Sequence, residues 1–235
     1  MASNHRETIL NRIRKNLTVP GISKRGHEQG ASMFEVQRSA QRGTDVGKTL
    51  LDTFEEELTL LGGNLRKVNS KEELITSLRD ICQKENFRNI VLSREPFLQE
   101  LGLEERLRIL LSETALSKAT GEDLISQLKS ADVGVTACEL LAAETGTIML
   151  RSSPVAPRAL SLLPRAHVVI AKEEQLFPTV AACFERLHRG GDKLLSSSCI
   201  TLVSGPSRTA DIEKVLVKGV HGPKDLYVFL MAKSK

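Results

Sequence analysis

The sequence predicts an α/β fold with three layers, in which helices cover both faces of a mainly parallel sheet. Short apolar runs rich in Val and Ile alternate with amphipathic helical segments from about residue 46 onward. Repeated strand-then-helix order favours parallel strands joined by right-handed crossovers. With 235 residues and 40% hydrophobic composition, the chain can form a core without disulfide or metal crosslinks.

Residues 1–45 are predicted to be an N-terminal helix and flexible linker, followed by an α/β domain over residues 46–235. Residues 6–17 have apolar side chains at helical spacing. Residues 18–48 have few apolar side chains and cannot bury much surface. The linker is either a disordered connector or an arm that folds onto a partner protein. Its cations are Lys24, Arg25, Arg38, Arg42 and Lys48.

Caps and periodicity predict the elements of the domain in order. A helix from residue 46 ends at Gly62 and Gly63, and Ser70 caps a helix over residues 71–85. Strands are predicted at residues 65–68, 89–93, 133–137, 145–150, 167–171, 200–203 and 226–231. Further helical segments are predicted at residues 96–111, 122–130, 157–163, 173–188 and 210–217.

Composition and missing motifs argue against several functional classes. The net charge of +4 is dispersed, and with one Tyr and no Trp we expect no nucleic-acid binding. The start lacks a signal sequence and no run approaches the roughly 18 apolar residues of a membrane span, so we expect a cytoplasmic protein without membrane insertion. The four cysteines are too scattered for an iron–sulfur or zinc pattern, and no dinucleotide, Walker or nucleophile-elbow motif occurs. We therefore expect no metal and no cofactor.

The strongest candidate site lies where a strand meets the predicted helix at residues 210–217. Ser207, Arg208 and Thr209 lie at this junction, where hydroxyls and free amides point outward. One interpretation is an ordinary helix N-cap with acidic residues in the first turn. The other is a ligand site in which Arg208 binds a carboxylate and Asp211 positions or deprotonates a ligand hydroxyl.

His221 lies in the next turn, between Gly219 and Gly222, and Pro223 fixes the exit of the chain. A histidine held in this way suits acid–base chemistry near neutral pH. The alternative is a solvent-exposed loop histidine. His167, at the start of an apolar strand, is predicted to pack in the core.

Two further groups flank the strand predicted at residues 145–150. Before it come Glu144, Thr145, Gly146 and Thr147. Here Gly146 would let a ligand approach the backbone, unless the segment is a simple turn. After it come Arg151, Ser152, Ser153 and Arg158. These cations and hydroxyls are suited to a carboxylate.

Four motifs resemble those of the lactate utilization protein C family, whose members carry the LUD domain. They are Glu144-Thr145-Gly146-Thr147, Ser161-Leu162-Leu163-Pro164, the stretch at residues 205–213 and the stretch at residues 219–223. The resemblance extends more loosely over nearly the whole chain. One departure is Arg165, where many relatives have proline.

The resemblance implies a three-layer α/β/α fold similar to the superfamily of sugar-phosphate isomerases and CoA transferases. It also implies a role in oxidising L-lactate to pyruvate beside two iron–sulfur sibling proteins. The lack of an iron–sulfur cysteine pattern agrees with this division of roles. The leading hypothesis is therefore an accessory subunit that binds a small carboxylate or stabilises the complex.

The alternative is a free-standing isomerase or transferase acting on a sugar-phosphate or CoA-linked substrate, with His221 and an acidic residue as its acid–base pair. The catalytic candidates are Glu144, Asp211 and His221. The ligand-binding candidates are Thr145, Gly146, Thr147, Ser207, Arg208 and Thr209.

Overall fold

A six-stranded sheet in which every described pairing is parallel forms the centre of the structure, a computed structural model. The structure describes residues 48–110, 115–118, 124–189, 197, 199–210, 216–219 and 221–232. The strands are β1 Asn64–Val68, β2 Asn89–Leu92, β3 Ala115–Lys118, β4 Val133–Ala137, β5 Leu140–Ala142, β6 Thr147–Arg151, β7 Ala166–Lys172, β8 Leu176–Phe177, β9 Ile200–Val203, β10 Arg208–Ala210, β11 Leu216–Lys218 and β12 Asp225–Met231. The order in the main sheet is β1-β12-β7-β4-β2-β3.

Two of the longer helices, α1 and α2, begin after side chains that cap them. They are α1 Leu50–Leu60, α2 Lys71–Lys84, α3 Pro96–Glu100, α4 Leu103–Leu110, α5 Leu124–Ser130 and α6 Val180–Arg189. At the start of α1, Thr49 Oγ1 accepts from Asp52 N and the Asp52 carboxylate accepts from Thr49 N, which is a capping box. Ser70 Oγ accepts from Glu73 N at the start of α2, as predicted.

Both faces of the main sheet are buried, because successive side chains of its central strands point to opposite sides. Val168 and Ile170 of β7 pack with the apolar faces of α2, α3 and α4. Val169 and Ala171 pack on the other side with α1 and with β5 and β6. Helix α5 also covers the second side, through Val91 of β2. This arrangement confirms the predicted three-layer α/β/α fold.

A smaller mixed sheet, in the order β8-β5-β6-β9, lies on the second side. Its β5–β6 and β6–β9 pairs are antiparallel. Strands β6 and β9 therefore belong to this sheet and not to the parallel one. Helix α6 packs on the small sheet through the buried Cys183, which contacts Leu140, Ala142 and Met149. Within the described ranges, no helix combines the length and apolarity that a bilayer crossing needs.

The order of the strands reverses between β2 and β4. The chain leaves β2 toward β3 on one side and leaves β4 toward β7 on the other, although β2 and β4 are neighbours. Their connections therefore separate at the carboxyl ends and open a crevice, which is the usual ligand position in open α/β sheets.

The predicted helix at residues 210–217 is wrong at both of its ends. Residues 208–210 and 216–218 form β10 and β11, which pair antiparallel with Arg208 opposite Lys218 and Ala210 opposite Leu216. Gly219 N donates to the Ser207 carbonyl and continues this pairing. Ser207 therefore precedes a strand and is not a helix N-cap. Backbone pairing between the two segments outweighs their helical apolar spacing.

The helix predicted over residues 173–188 is also shorter than expected. Residues 173–175 form a 3₁₀ turn, β8 follows, and α6 begins only at Val180. Pro178 separates the two parts because a proline inside a helix removes one hydrogen bond and clashes with the preceding turn. The predicted helix at residues 6–17 and the linker up to residue 47 lie outside the described residues.

Candidate functional site

A cleft lies at the carboxyl ends of β2 and β4, where the strand order reverses. It holds about 300 Å³ of space open to solvent. Its lining comes from β4, from the ends of β6 and β9, and from the segments that follow β2 and β6. These residues are Glu95, Thr136, Ala137, Leu150, Arg151, Ser152, Ala156, Pro157, Arg158, Ser161 and Thr201.

Glu95 joins the ends of the two strands on one side of the cleft. Its Oε2 accepts hydrogen bonds from Ser93 Oγ at 2.6 Å and from Ala137 N at 2.8 Å. The backbone N of Ser93 donates to Val135 O and continues the pairing of β2 with β4. The Glu95 carboxylate is therefore held in a fixed position in the cleft wall and can accept a hydrogen bond from a ligand hydroxyl.

Two arginines supply positive charge to the cleft. Arg151 ends β6 and donates from Nε to Glu139 Oε2 at 2.8 Å, so its charge is already paired. Arg158 lies in a 3₁₀ turn at residues 158–161 and is exposed. Among the described residues, no carboxylate forms an ion pair with Arg158. Its guanidinium is therefore the group of the cleft best suited to bind an anion.

The turn that carries Arg158 lies directly on β4 at Gly134. A methyl group at this position would lie 2.2 Å from the Leu160 carbonyl oxygen, so any side chain would push the turn away. Ser161, in the same turn, is buried and donates from Oγ to the Arg158 carbonyl at 3.0 Å. The contact at Gly134 thus sets the position of both residues relative to the sheet.

Thr136 and His167 form a buried polar pair beside the cleft. Thr136 Oγ1 lies 2.9 Å from His167 Nε2, and His167 Nδ1 has no hydrogen-bond partner among the described residues. Burial lowers the pKa of His167 to about 4, because a charged imidazole is poorly solvated in the interior. The ring is therefore neutral at physiological pH. The prediction that His167 packs in the core agrees with its 1% exposure.

The four thiols are free, and three of them are buried. Burial raises the pKa of Cys82 to about 12 and that of Cys183 to about 11. These thiols are therefore protonated and poorly nucleophilic at neutral pH. The described residues hold no group of three or more His, Cys, Asp or Glu side chains placed to bind a metal ion.

The predicted residues before β6 contact other parts of the protein. Glu144 Oε1 accepts from Val180 N at 2.8 Å and so caps α6. Thr147 Oγ1 lies 2.6 Å from both Thr145 Oγ1 and Ser204 Oγ. This chain of hydroxyls links the start of β6 to the segment after β9.

Gly146 is approached closely by the backbone of α1. It has φ of +55°, and a methyl group on it would lie 2.5 Å from Leu58 N. The backbone of α1 therefore fills the space in which a ligand was predicted to approach this glycine.

The segments that carry Ser207 and His221, at residues 204–208 and 221–224, lie side by side. Ser207 N donates to the Pro223 carbonyl at 2.9 Å. Arg208 donates from its guanidinium to the Leu61 carbonyl at the end of α1. His221 is exposed. Of the remaining candidates, Thr209 lies in β10 and Asp211 is outside the described residues.

None of the described candidates from the motifs at Glu144, Ser207 and His221 lines the cleft. The loop predicted to receive a carboxylate does line it, through Arg151, Ser152 and Arg158. Sequence reasoning missed Glu95 and Thr136 as cleft residues. Their sequence signal is their position at the carboxyl ends of two apolar runs, but only the strand order brings those ends together.

Comparison with known proteins identifies the family. The family model described as the LUD domain matches residues 51–231. Lactate utilization protein C of Halalkalibacterium halodurans is 30% identical over 225 residues, which are 93% of this chain and 94% of that protein. The protein of the same name from Bacillus subtilis is 29% identical and covers 96% of both chains.

Two further relatives agree with this family. The uncharacterized protein YkgG of Escherichia coli is 38% identical over 154 residues, which are 64% of this chain and 66% of that protein. The crystal structure of a DUF162 family protein from Deinococcus radiodurans has the same fold, with a TM-score of 0.57 and 24% identity over 77% of this chain and 96% of that one. The chain therefore belongs to the LUD domain family, as a member of its lactate utilization protein C group.

Proposed function

We propose that this chain is a subunit of an L-lactate utilization system and that its cleft binds a small carboxylate. In this role it supports the oxidation of L-lactate to pyruvate together with iron–sulfur partner proteins. Relatives named lactate utilization protein C, similar over nearly the whole chain, support the pathway. The observation that carries the ligand assignment is Arg158, which has no ion-pair partner within the described ranges, in a cleft at the strand-order reversal.

The lining of the cleft suits a 2-hydroxy or 2-oxo acid. Arg158 offers two parallel N–H donors to a carboxylate. Glu95 offers an acceptor to a ligand hydroxyl, and Thr136 offers a hydroxyl to a ligand oxygen.

Calorimetric titration of the full chain with L-lactate and with pyruvate tests this assignment. Arg158→Gln removes the positive charge of this side chain, so we expect it to weaken carboxylate binding by about tenfold or more. Arg186→Gln is the matched control, because Arg186 is also exposed but lies on α6. Equal weakening of binding by both substitutions, or no weakening by either, would contradict a carboxylate site at Arg158.

Growth tests the pathway separately from the ligand. Deleting the gene should abolish growth on L-lactate, the wild-type gene should restore it, and the Arg158→Gln gene should restore it poorly. Unchanged growth and lactate oxidation in the deletion strain would refute the pathway assignment.

Assembly of the complex is a second candidate function, and it concerns a different surface. We define the loop face as Leu162, Leu163, Arg208 and His221, which are all exposed. Leu162 has 46% of its surface exposed, and its carbonyl lies 4.0 Å from the position of a methyl group on Gly222, next to His221. Adjacent exposed leucines beside polar loop residues favour a protein partner.

Co-purification of the tagged full chain with the iron–sulfur partner proteins tests this role. The double substitution Leu162→Asp with Leu163→Asp should reduce the recovered partner about tenfold or more, because it places charge in an apolar contact. Ile125→Asp is the control, since Ile125 is 50% exposed on α5. Undiminished recovery with the double variant would exclude the loop face as the docking surface.

A further inference from the structure

Thr136 and His167 are on the side of the main sheet that faces the cleft. Val133, Val135 and Ala137 of β4 pack on the side of α2, so Thr136 points the other way, as His167 does on β7. Thr136 lines the cleft, although it is 5% exposed, and His167 lies behind it in the core. The Oγ1–Nε2 distance of 2.9 Å is the one hydrogen bond that joins Thr136 Oγ1 to the described residues.

The direction of this hydrogen bond follows from the other nitrogen of the ring. A neutral imidazole carries one proton, on Nε2 or on Nδ1. His167 Nδ1 is buried without a partner among the described residues. A proton on Nδ1 would leave a buried N–H unsatisfied, and buried N–H groups without partners are rarer in proteins than unsatisfied acceptors. The proton therefore belongs on Nε2, which donates to Thr136 Oγ1.

We propose that Thr136 is a ligand-binding residue of the cleft and that His167 is its positioning residue. Because Oγ1 accepts from His167, the hydroxyl proton of Thr136 has no internal acceptor among the described residues and is free to be donated to a ligand oxygen. His167 thus leaves the hydroxyl proton of Thr136 available for donation toward the cleft. This inference rests on the proposed function, in which the ligand is a small carboxylate, and it assigns a donor for one of the ligand oxygens.

A donor fixed in this way favours ligands whose oxygen only accepts, such as a carboxylate or a 2-oxo group. Burial supports the assignment, since the lowered pKa of His167 keeps the ring neutral at the pH of the cell. A neutral ring brings no second positive charge to the ligand. Arg158 then supplies the positive charge, and the hydrogen bond from Thr136 orients the ligand.

Nuclear magnetic resonance of the full chain with ¹⁵N-labelled histidine reads the tautomer of His167 without any ligand. We expect a protonated Nε2 and a bare Nδ1, in a signal that is absent from the His167→Asn variant. A proton on Nδ1 would overturn the inference, whatever the cleft binds.

Binding of pyruvate to two Thr136 variants tests the donor. Thr136→Val keeps the shape but removes the hydroxyl, so the dissociation constant should rise about tenfold or more. Thr136→Ser keeps the hydroxyl and should change it by less than about threefold. Melting temperatures of both variants check that each is folded at the temperature of the titration. A folded Thr136→Val protein that binds pyruvate as tightly as the wild type would overturn the inference.

A wild-type chain that binds neither L-lactate nor pyruvate would refute the carboxylate ligand instead. The tautomer then decides the inference by itself: a proton on Nε2 retains Thr136 as a free donor for another acceptor ligand, and a proton on Nδ1 excludes it.

Discussion

Gly134 shows how one residue without a side chain can determine the geometry of a site. The Leu160 carbonyl occupies the space of its missing methyl group, and this contact brings Arg158 and Ser161 toward the end of β4. The residue is not part of any motif that the sequence singled out. Its importance appears only in the structure, where β4 contacts the 3₁₀ turn. Gly134 and Arg158 are 24 residues apart in the sequence.

The stability of the protein should depend on pH through His167. Its pKa is about 4 in the folded state and about 6.5 when unfolded, so the unfolded chain binds a proton first as the pH falls. The contribution of the neutral His167 to the free energy of unfolding is fully present above about pH 6.5. It is lost as the pH falls from there to about 4, which lowers the free energy of unfolding by at most about 3 kcal/mol. Denaturant unfolding at a series of pH values measures this loss.

Subtracting the same profile of His167→Asn isolates the histidine from the carboxylates, which also titrate in acid. The difference in unfolding free energy between the two proteins should change across this window and be flat above it. A flat difference throughout would mean that His167 is not held neutral by burial.

Individual cleft residues were predictable to different degrees. Arg151, Ser152 and Arg158 could be proposed from sequence because cations and hydroxyls cluster after one apolar run. Glu95 and Thr136 could not, because each depends on which strand lies beside its own. That neighbour is fixed by long-range pairing, which leaves no local pattern around either residue.

At the scale of elements, prediction succeeded where the determinant is local. Ser70 caps its helix through the backbone amide of Glu73, three residues ahead, and this contact can be read directly from sequence. Helix α1 instead begins at Leu50 after its cap Thr49, later than the predicted start at residue 46. Prediction failed at both ends of the segment at residues 210–217, where Ala210 of β10 pairs with Leu216 of β11. The helical spacing of Ile212, Val215 and Leu216 predicted a helix, but Leu216 lies in a strand.

Helix α1 should require glycine at position 146. Gly146→Ala should lower the free energy of unfolding by about 2–4 kcal/mol, because it combines a strained positive φ with a clash against Leu58 N. Gly102→Ala is the matched control: Gly102 has φ of +62° but no heavy atom within 4 Å of the added methyl. Its loss should therefore reflect strain alone, at about 1 kcal/mol.

Urea unfolding of both variants makes this comparison. Equal losses for the two glycines would show that the contact with α1 adds nothing to backbone strain. The result also bears on the Glu-x-Gly-Thr motif, since a large loss at Gly146 would explain the glycine by helix packing.

At the scale of the whole molecule, the alternation of apolar runs was enough to predict the layers. Helices on both faces of a parallel sheet follow from repeated strand-then-helix order, and the structure confirms them. The strand order was not predictable, because β12 inserts between β1 and β7 from the far end of the chain. The smaller mixed sheet was also missed. Its strands are short, and β6 pairs antiparallel with β5 and β9, which the repeated strand-then-helix order did not predict.

The fold separates the site predicted from the sequence from the cleft that the structure forms. The motif at Gly146 and the loop at Gly205 both pack on α1, where glycine permits close backbone contact. The cleft lies instead at the reversal between β2 and β4. We therefore interpret the first region as structural and propose the cleft as the ligand site.

A crystal structure of the full chain grown with L-lactate would test this division most directly. We expect the carboxylate of the ligand within about 3 Å of the Arg158 guanidinium and an oxygen of the ligand at hydrogen-bond distance from Thr136 Oγ1. Lactate bound beside His221 and Ser207, with the cleft at Arg158 occupied only by water, would contradict it.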